Sequence, residues 1–198
     1  MMNVEFTKGN HKLPKSTYII NLGCATDCPS KRLGLCQCPT TCYALKAEVQ
    51  YYKTSLPFRR RQRKVFDSVS YNDIVSALLN SSKNSKKHIM THLRFSEAGD
   101  FENQKDVTKL LRICKKLNEA GIVCYGYTAR TDLNLSGLIK YAHVNVSNDY
   151  GNWINKGANR FKLVQEYTDD FPRCKGNCRI CSLCYDNNRG KTIEVKQH

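Results

Sequence analysis

Nine of the eleven cysteines of this chain gather in two short stretches. Cys24, Cys28, Cys36, Cys38 and Cys42 lie within "GCATDCPSKRLGLCQCPTTCYA" (23–44), and Cys174, Cys178, Cys181 and Cys184 make up "CKGNCRICSLC" (174–184). A chain of 198 residues can bury enough apolar surface for one well-packed domain, so it needs no cross-links to stay folded. The opening "MMNVEFTKGNHKLPKSTYII" lacks the apolar core of a secretory leader. That predicts a cytoplasmic protein whose thiols are reduced or metal-bound, with disulfide pairing as the alternative in an oxidising compartment. No apolar run approaches the roughly 20 residues of a membrane span, so no membrane partner is expected.

Between the cysteine groups, strand and helix patterns alternate. Strands are expected at 16–23, 86–95, 122–128, 143–147 and 161–167. A helix is expected from Thr40 or Thr41 as N-cap up to Pro57, then helices at 71–82 and 103–121 and a short one near 135–142. In 103–121, Val107, Leu110, Leu111, Cys114 and Leu117 repeat at helical spacing. The order implies an α/β fold of parallel βα units with right-handed crossovers, one domain over 1–198. Too few units are present for eight strands, so an open or incomplete barrel follows, with irregular cysteine-rich loops at the strand C-terminal ends. The loop motifs "SEAGDF", "YTARTD" and "SNDYGNW" and both cysteine groups would then face one mouth.

Cys178, Cys181 and Cys184 are spaced C-x2-C-x2-C, the spacing that presents three thiolates to one [4Fe-4S] cluster, with Cys174 four positions before. Structural zinc more often uses two separated C-x2-C pairs. In the first loop at least three cysteines are expected as ligands, Cys24, Cys28 and Cys42 foremost. Cys36 and Cys38 would complete a second site, a second cluster or zinc. Cys114 and Cys124 fall on an apolar helix face and in a strand, where cysteine serves as a small hydrophobe. At the mouth, Arg94, Ser96, Glu97, Asp100, Tyr127 and Thr128, with Arg130 and Asp132 beyond them, could bind the amine, ribose or phosphate of a cofactor or substrate. Equally, Asp100 or Asn103 could cap the following helix and Glu97 could pair with Arg94 or Arg130. His92 and His143 read as hydrogen-bonded strand residues.

Lys and Arg outnumber Asp and Glu 32 to 17, a net +15, with a dense run at 58–66. Such a surface attracts polyanions, and Tyr51, Tyr52 and Phe58 could stack on bases. A zinc-stabilised, basic nucleic-acid-binding protein is therefore the alternative to a redox protein. There is no P-loop, dinucleotide glycine motif or hydrolase elbow.

A cysteine loop directly after the first strand and "RFSEAGDF" after the second resemble radical S-adenosylmethionine enzymes. That resemblance implies a partial barrel with a [4Fe-4S] cluster after strand one and S-adenosylmethionine contacted after strand two. "CPTTCYALKAE", "LRFSEAGDF" and "GYTART" also resemble a bacteriophage family known as gene product 88, over much of residues 20–135, which implies the host cytoplasm as location. The chain departs from the enzyme pattern in having Cys24-x3-Cys28 without a third cysteine three residues later. The full C-x3-C-x2-C occurs at Cys174, Cys178 and Cys181 instead. Together these readings lead to an iron-sulfur protein with redox or radical S-adenosylmethionine-like activity, acting on a small molecule or a redox partner.

Overall fold

The computed structural model describes residues 4–149 and 151–196; Tyr150, in the expected strand-end segment, lies outside them. One seven-stranded sheet keeps its strands in chain order: β1 (Thr7–Lys8), β2 (Thr17–Ile20), β3 (His92–Phe95), β4 (Val123–Thr128), β5 (His143–Val146), β6 (Asn159–Val164) and β7 (Thr192–Lys196). β1 runs antiparallel to β2 and every other pair is parallel. The sheet is open, with β1 and β7 at its edges. Among the described residues no helix is long and apolar enough to cross a membrane.

Among the described residues six α-helices lie between the strands: α1 (Pro29–Arg32), α2 (Tyr43–Gln50), α3 (Ser55–Ser68), α4 (Tyr71–Lys83), α5 (Gln104–Glu119) and α6 (Ser136–Ile139). Caps set their limits. Ser70 accepts from the Asp73 amide at 3.2 Å, and Asn103 rather than Asp100 caps α5, accepting from the Lys105 amide at 2.9 Å. Gly121, at φ +75°, ends the α5 segment where a side chain would be strained.

The two faces of the sheet differ in chemistry because residues alternate sides along a strand. Tyr18, Ile20, Leu93, Phe95, Cys124, Val144 and Val146 form the apolar face and pack with Ile74 and Leu78 of α4 and Val107, Leu110, Cys114 and Leu117 of α5. Each such side chain contributes on the order of 1.5–3 kcal/mol. Cys114 and Cys124 are buried in this core as small hydrophobes. Gly126 belongs there too: a Cβ on it would sit 2.2 Å from the Phe95 ring. The opposite face carries His92, Arg94, Tyr125, Tyr127, His143 and Asn145, aligned across β3, β4 and β5 by the strand register.

Three expected elements are corrected. Pro57 does not end a helix; it occupies the first turn of α3, where the backbone N–H has no intrahelical acceptor and its loss is harmless. Cys42, not Thr40 or Thr41, is the N-cap of α2. The second cysteine group follows a strand, as expected, but leads into a further one, the edge strand β7, which the expected strands do not include.

Candidate functional site: two thiol groups around a buried polar face

The first loop is tied down by acceptors buried on either side of it. Glu48 of α2 accepts from the Ala25 and Thr26 amides at 2.7 and 2.9 Å and pairs with Arg59 at 2.8 Å. Asp100 accepts from Ser30 at 2.5 Å, from Thr128 at 2.6 Å and from the Ala129 and Phe101 amides at 2.8 Å. It thereby joins the loops after β2, β3 and β4. Asn148 adds the loop after β5, donating to Leu35 O at 2.9 Å and Ala129 O at 2.8 Å. Gly99 presses its backbone on Gly23, where an added Cβ would lie 2.7 Å from main-chain atoms.

This packing divides the first-loop cysteines. Cys38 lies within electrostatic reach of Cys28, Cys36 and Cys42, with Cys36 and Cys38 Sγ atoms 4.0 Å apart. The hydrogen bond between those two thiols lowers Cys36 to about 6 and raises Cys38. Burial, with Asp100 nearby, pushes Cys28 up to about 11, against the amides of Lys31 and Ser30 at the start of α1. Cys24 is buried, bonds to Asp27 at 3.2 Å, and is raised mainly by its burial.

Cys174, Cys178, Cys181 and Cys184 form the second group, in which Cys174 and Cys181 act on the charge of Cys178, and Cys174 and Cys178 on that of Cys184. Burial raises Cys184 to about 12, opposed by a hydrogen bond from Tyr127. The group is laid over the polar face of the sheet. Asn145 donates to Cys184 O at 3.1 Å, and the Tyr185 ring packs 4.7 Å from both Tyr125 and His92. Neither group is a closed ligand cage: among the described residues no three His, Cys, Asp or Glu side chains meet at metal-ligand spacing.

The expected cofactor contacts separate by role. Asp100 and Thr128 are a loop clamp, and Glu97 accepts from Asn10 at 2.6 Å rather than pairing with Arg94 or Arg130. Arg130 pairs with Asp132 at 2.8 Å and donates to Phe101 O at 2.6 Å. Arg94 and Tyr127 do meet at the polar face, the guanidinium 5.0 Å from the ring. Ser96 is buried in the left-handed region, φ +56°, a strained conformation that tends to persist at functional sites. Buried side-chain atoms without a hydrogen-bond partner among the described residues include Arg94 Nε, Tyr125 Oη and His143 Nδ1 on this side of the sheet, and Ser96 Oγ just beyond the end of β3. His143 therefore differs from the hydrogen-bonded residue expected. Its pKa is lowered to about 4, chiefly by burial, with Arg189 and Lys191 adding to the effect and Asp186 opposing it.

Tyr43, Tyr125, Asn145 and Tyr185 escaped the sequence reading. The signal for Asn145 was present in "HVNV", an amide between valines in a buried strand. Thiols are the donor type that iron-sulfur and zinc groups take, but among the described residues their side chains do not meet at ligand spacing; the unpaired Arg94 Nε and Tyr125 Oη lie on the polar face that the second connection covers. The basic run is largely internally neutralised. Arg59, Arg60, Arg61 and Arg63 pair with Glu48, Asp27, Glu5 and Asp106. Comparison with family models, curated proteins and solved structures finds no match.

Proposed function

We propose that this chain is an iron-sulfur protein with two four-thiol sites, Cys28, Cys36, Cys38 and Cys42 in one and Cys174, Cys178, Cys181 and Cys184 in the other, serving electron transfer or cluster-dependent chemistry on a small molecule. The observation that carries the reading is the gathering of nine cysteines into two connections, one after β2 and one after β6, both leaving the C-terminal ends of parallel strands. The C-x3-C-x2-C-x2-C spacing of the second set supports a [4Fe-4S] cluster. The resemblance to the bacteriophage gene product 88 family and to radical S-adenosylmethionine enzymes supports the same architecture. A bound cluster would supply one-electron chemistry; the protein's part is to hold the thiolates and to shield them on the polar face. Neutralisation of Arg59 to Arg63 by carboxylates weighs against a nucleic-acid surface at that run.

Anaerobic purification followed by iron, sulfide and zinc analysis tests this. Iron with matching sulfide is expected, and Cys38→Ala and Cys178→Ala should each remove about half of it. Zinc without sulfide would replace the redox reading by the structural-zinc one, and a chain without metal would end both.

A further inference from the structure

Val123 and His143 open β4 and β5, and Arg189 lies just before β7, so a cavity that all three border sits at the amino ends of the strands. Its volume is about 230 Å³, and Asn118, Gly121 and Tyr141 also line it. Both cysteine connections leave the opposite, carboxyl ends, those of β2 and β6. His143 is 9% exposed, and its Nδ1 is buried without a hydrogen-bond partner among the described residues. A buried polar atom left unpaired costs stability, so this imidazole calls for a partner that the chain does not supply.

The neighbouring groups are engaged elsewhere. Asn118 donates its amide to Ile122 O at 2.8 Å, and the His92 ring packs on Tyr185 at 4.7 Å. Asp186, the carboxylate that acts on His143, is held by Lys191 at 2.5 Å. Arg189 donates to Ile139 O and has no carboxylate partner among the described residues. Burial lowers its pKa, as it does for a cation short of counter-charge. At Gly121 an added Cβ would meet no atom within 4 Å, which leaves room on that side. The cavity thus joins a guanidinium, which only donates, to an imidazole kept neutral chiefly by burial, which can donate or accept. A phosphate group meets both demands: its oxygens accept from the guanidinium fork, and an oxygen or a P–OH completes the imidazole.

We infer that this cavity binds a phosphate group, free or as the end of a small phosphomonoester, with Arg189 pairing its charge and His143 hydrogen-bonding one of its oxygens. The net charge of +15 speeds the anion's arrival without choosing the place. The place is set by the guanidinium and the buried ring. No thiol takes part, so the site stands or falls independently of the proposed metal binding.

The test titrates inorganic phosphate and glycerol 3-phosphate separately into the full-length protein at fixed ionic strength. It reads the heat of binding together with the imidazole nitrogen shifts of His143. Saturable binding at one site per chain with a shift at His143 is expected. Tighter glycerol 3-phosphate assigns the site to a phosphomonoester, and equal or tighter inorganic phosphate assigns it to the free ion. Arg189→Met should weaken binding about tenfold, the worth of one hydrogen-bonded charge pair. His143→Gln, which keeps a donor and an acceptor, should weaken it less. Lys64→Met removes the same charge from α3 and should leave the affinity unchanged. Absence of saturable binding for both probes overturns the inference and leaves water as the occupant. Equal weakening in Lys64→Met and Arg189→Met also overturns it, because binding would then follow overall charge. If Arg189→Met does not fold, the parent protein decides: phosphate that binds without moving the His143 resonances overturns the site.

Discussion

At the residue scale, Asp100 shows how a motif read as a cofactor contact becomes a structural joint. Its carboxylate accepts four hydrogen bonds from three separate loops. Burial raises its pKa, and these donors work against that rise by favouring the charged form. Asp100→Ala would leave two hydroxyls and two amides without an acceptor, at roughly 1–3 kcal/mol for each group that stays buried. We expect a loss of about 4 kcal/mol in urea unfolding, and a smaller one for Asp100→Asn, which keeps an acceptor oxygen. A loss under about 1 kcal/mol would show that water replaces the carboxylate and that the clamp is dispensable. From sequence, "SEAGD" announced a special turn after a strand. Whether its carboxylate faced a ligand or the donors of other loops depended on residues 30, 128 and 129, which sit far away along the chain.

At the scale of elements, β7 decides where the second cysteine group can lie. Glu194, in the middle of β7, is fully buried and receives the Thr168 amide and hydroxyl at 2.7 Å each and Lys162 at 3.2 Å. Its backbone accepts from the Cys174 amide at 2.8 Å and donates to Pro172 O at 2.9 Å. The side chain thus anchors the start of the β6–β7 connection, and the backbone anchors the entry to the cysteines. In Glu194→Ala, hydrogen exchange should accelerate at the Thr168 amide and its neighbours while amides of α5 and β4 keep their protection. Uniform acceleration across the sheet would mean that β7 supports the whole fold rather than this connection. "KTIEVK" carries the alternation of a strand, but six residues after a cysteine-rich segment offer no long pattern, and strand identity here comes from pairing with β6.

At the scale of the whole molecule, distant parts of the chain close on the same place. Arg179 reaches Asn10 O at 3.4 Å, Asn10 reaches Glu97, and Asn148 holds Leu35 O, so the chain's two ends and its middle share one set of contacts. Unfolding should therefore be a single transition. Far-UV circular dichroism and the fluorescence of Trp153, the sole tryptophan and a buried one, should give the same urea midpoint; two midpoints would separate the cysteine connections from the sheet. The amino-acid sequence alone determined the α/β alternation, the position of α4 and α5 and the parallel strands between them, because hydrophobic period and caps are local properties. It also determined that thiols gather in two stretches. Only the tertiary structure decided that Cys24 is buried and bonded to Asp27, that the arginine run is spent on internal ion pairs, and that one sheet face is polar beneath the second cysteine group. Those outcomes depend on strand register and on which loops meet, and such long-range pairings are written in no single stretch of the chain.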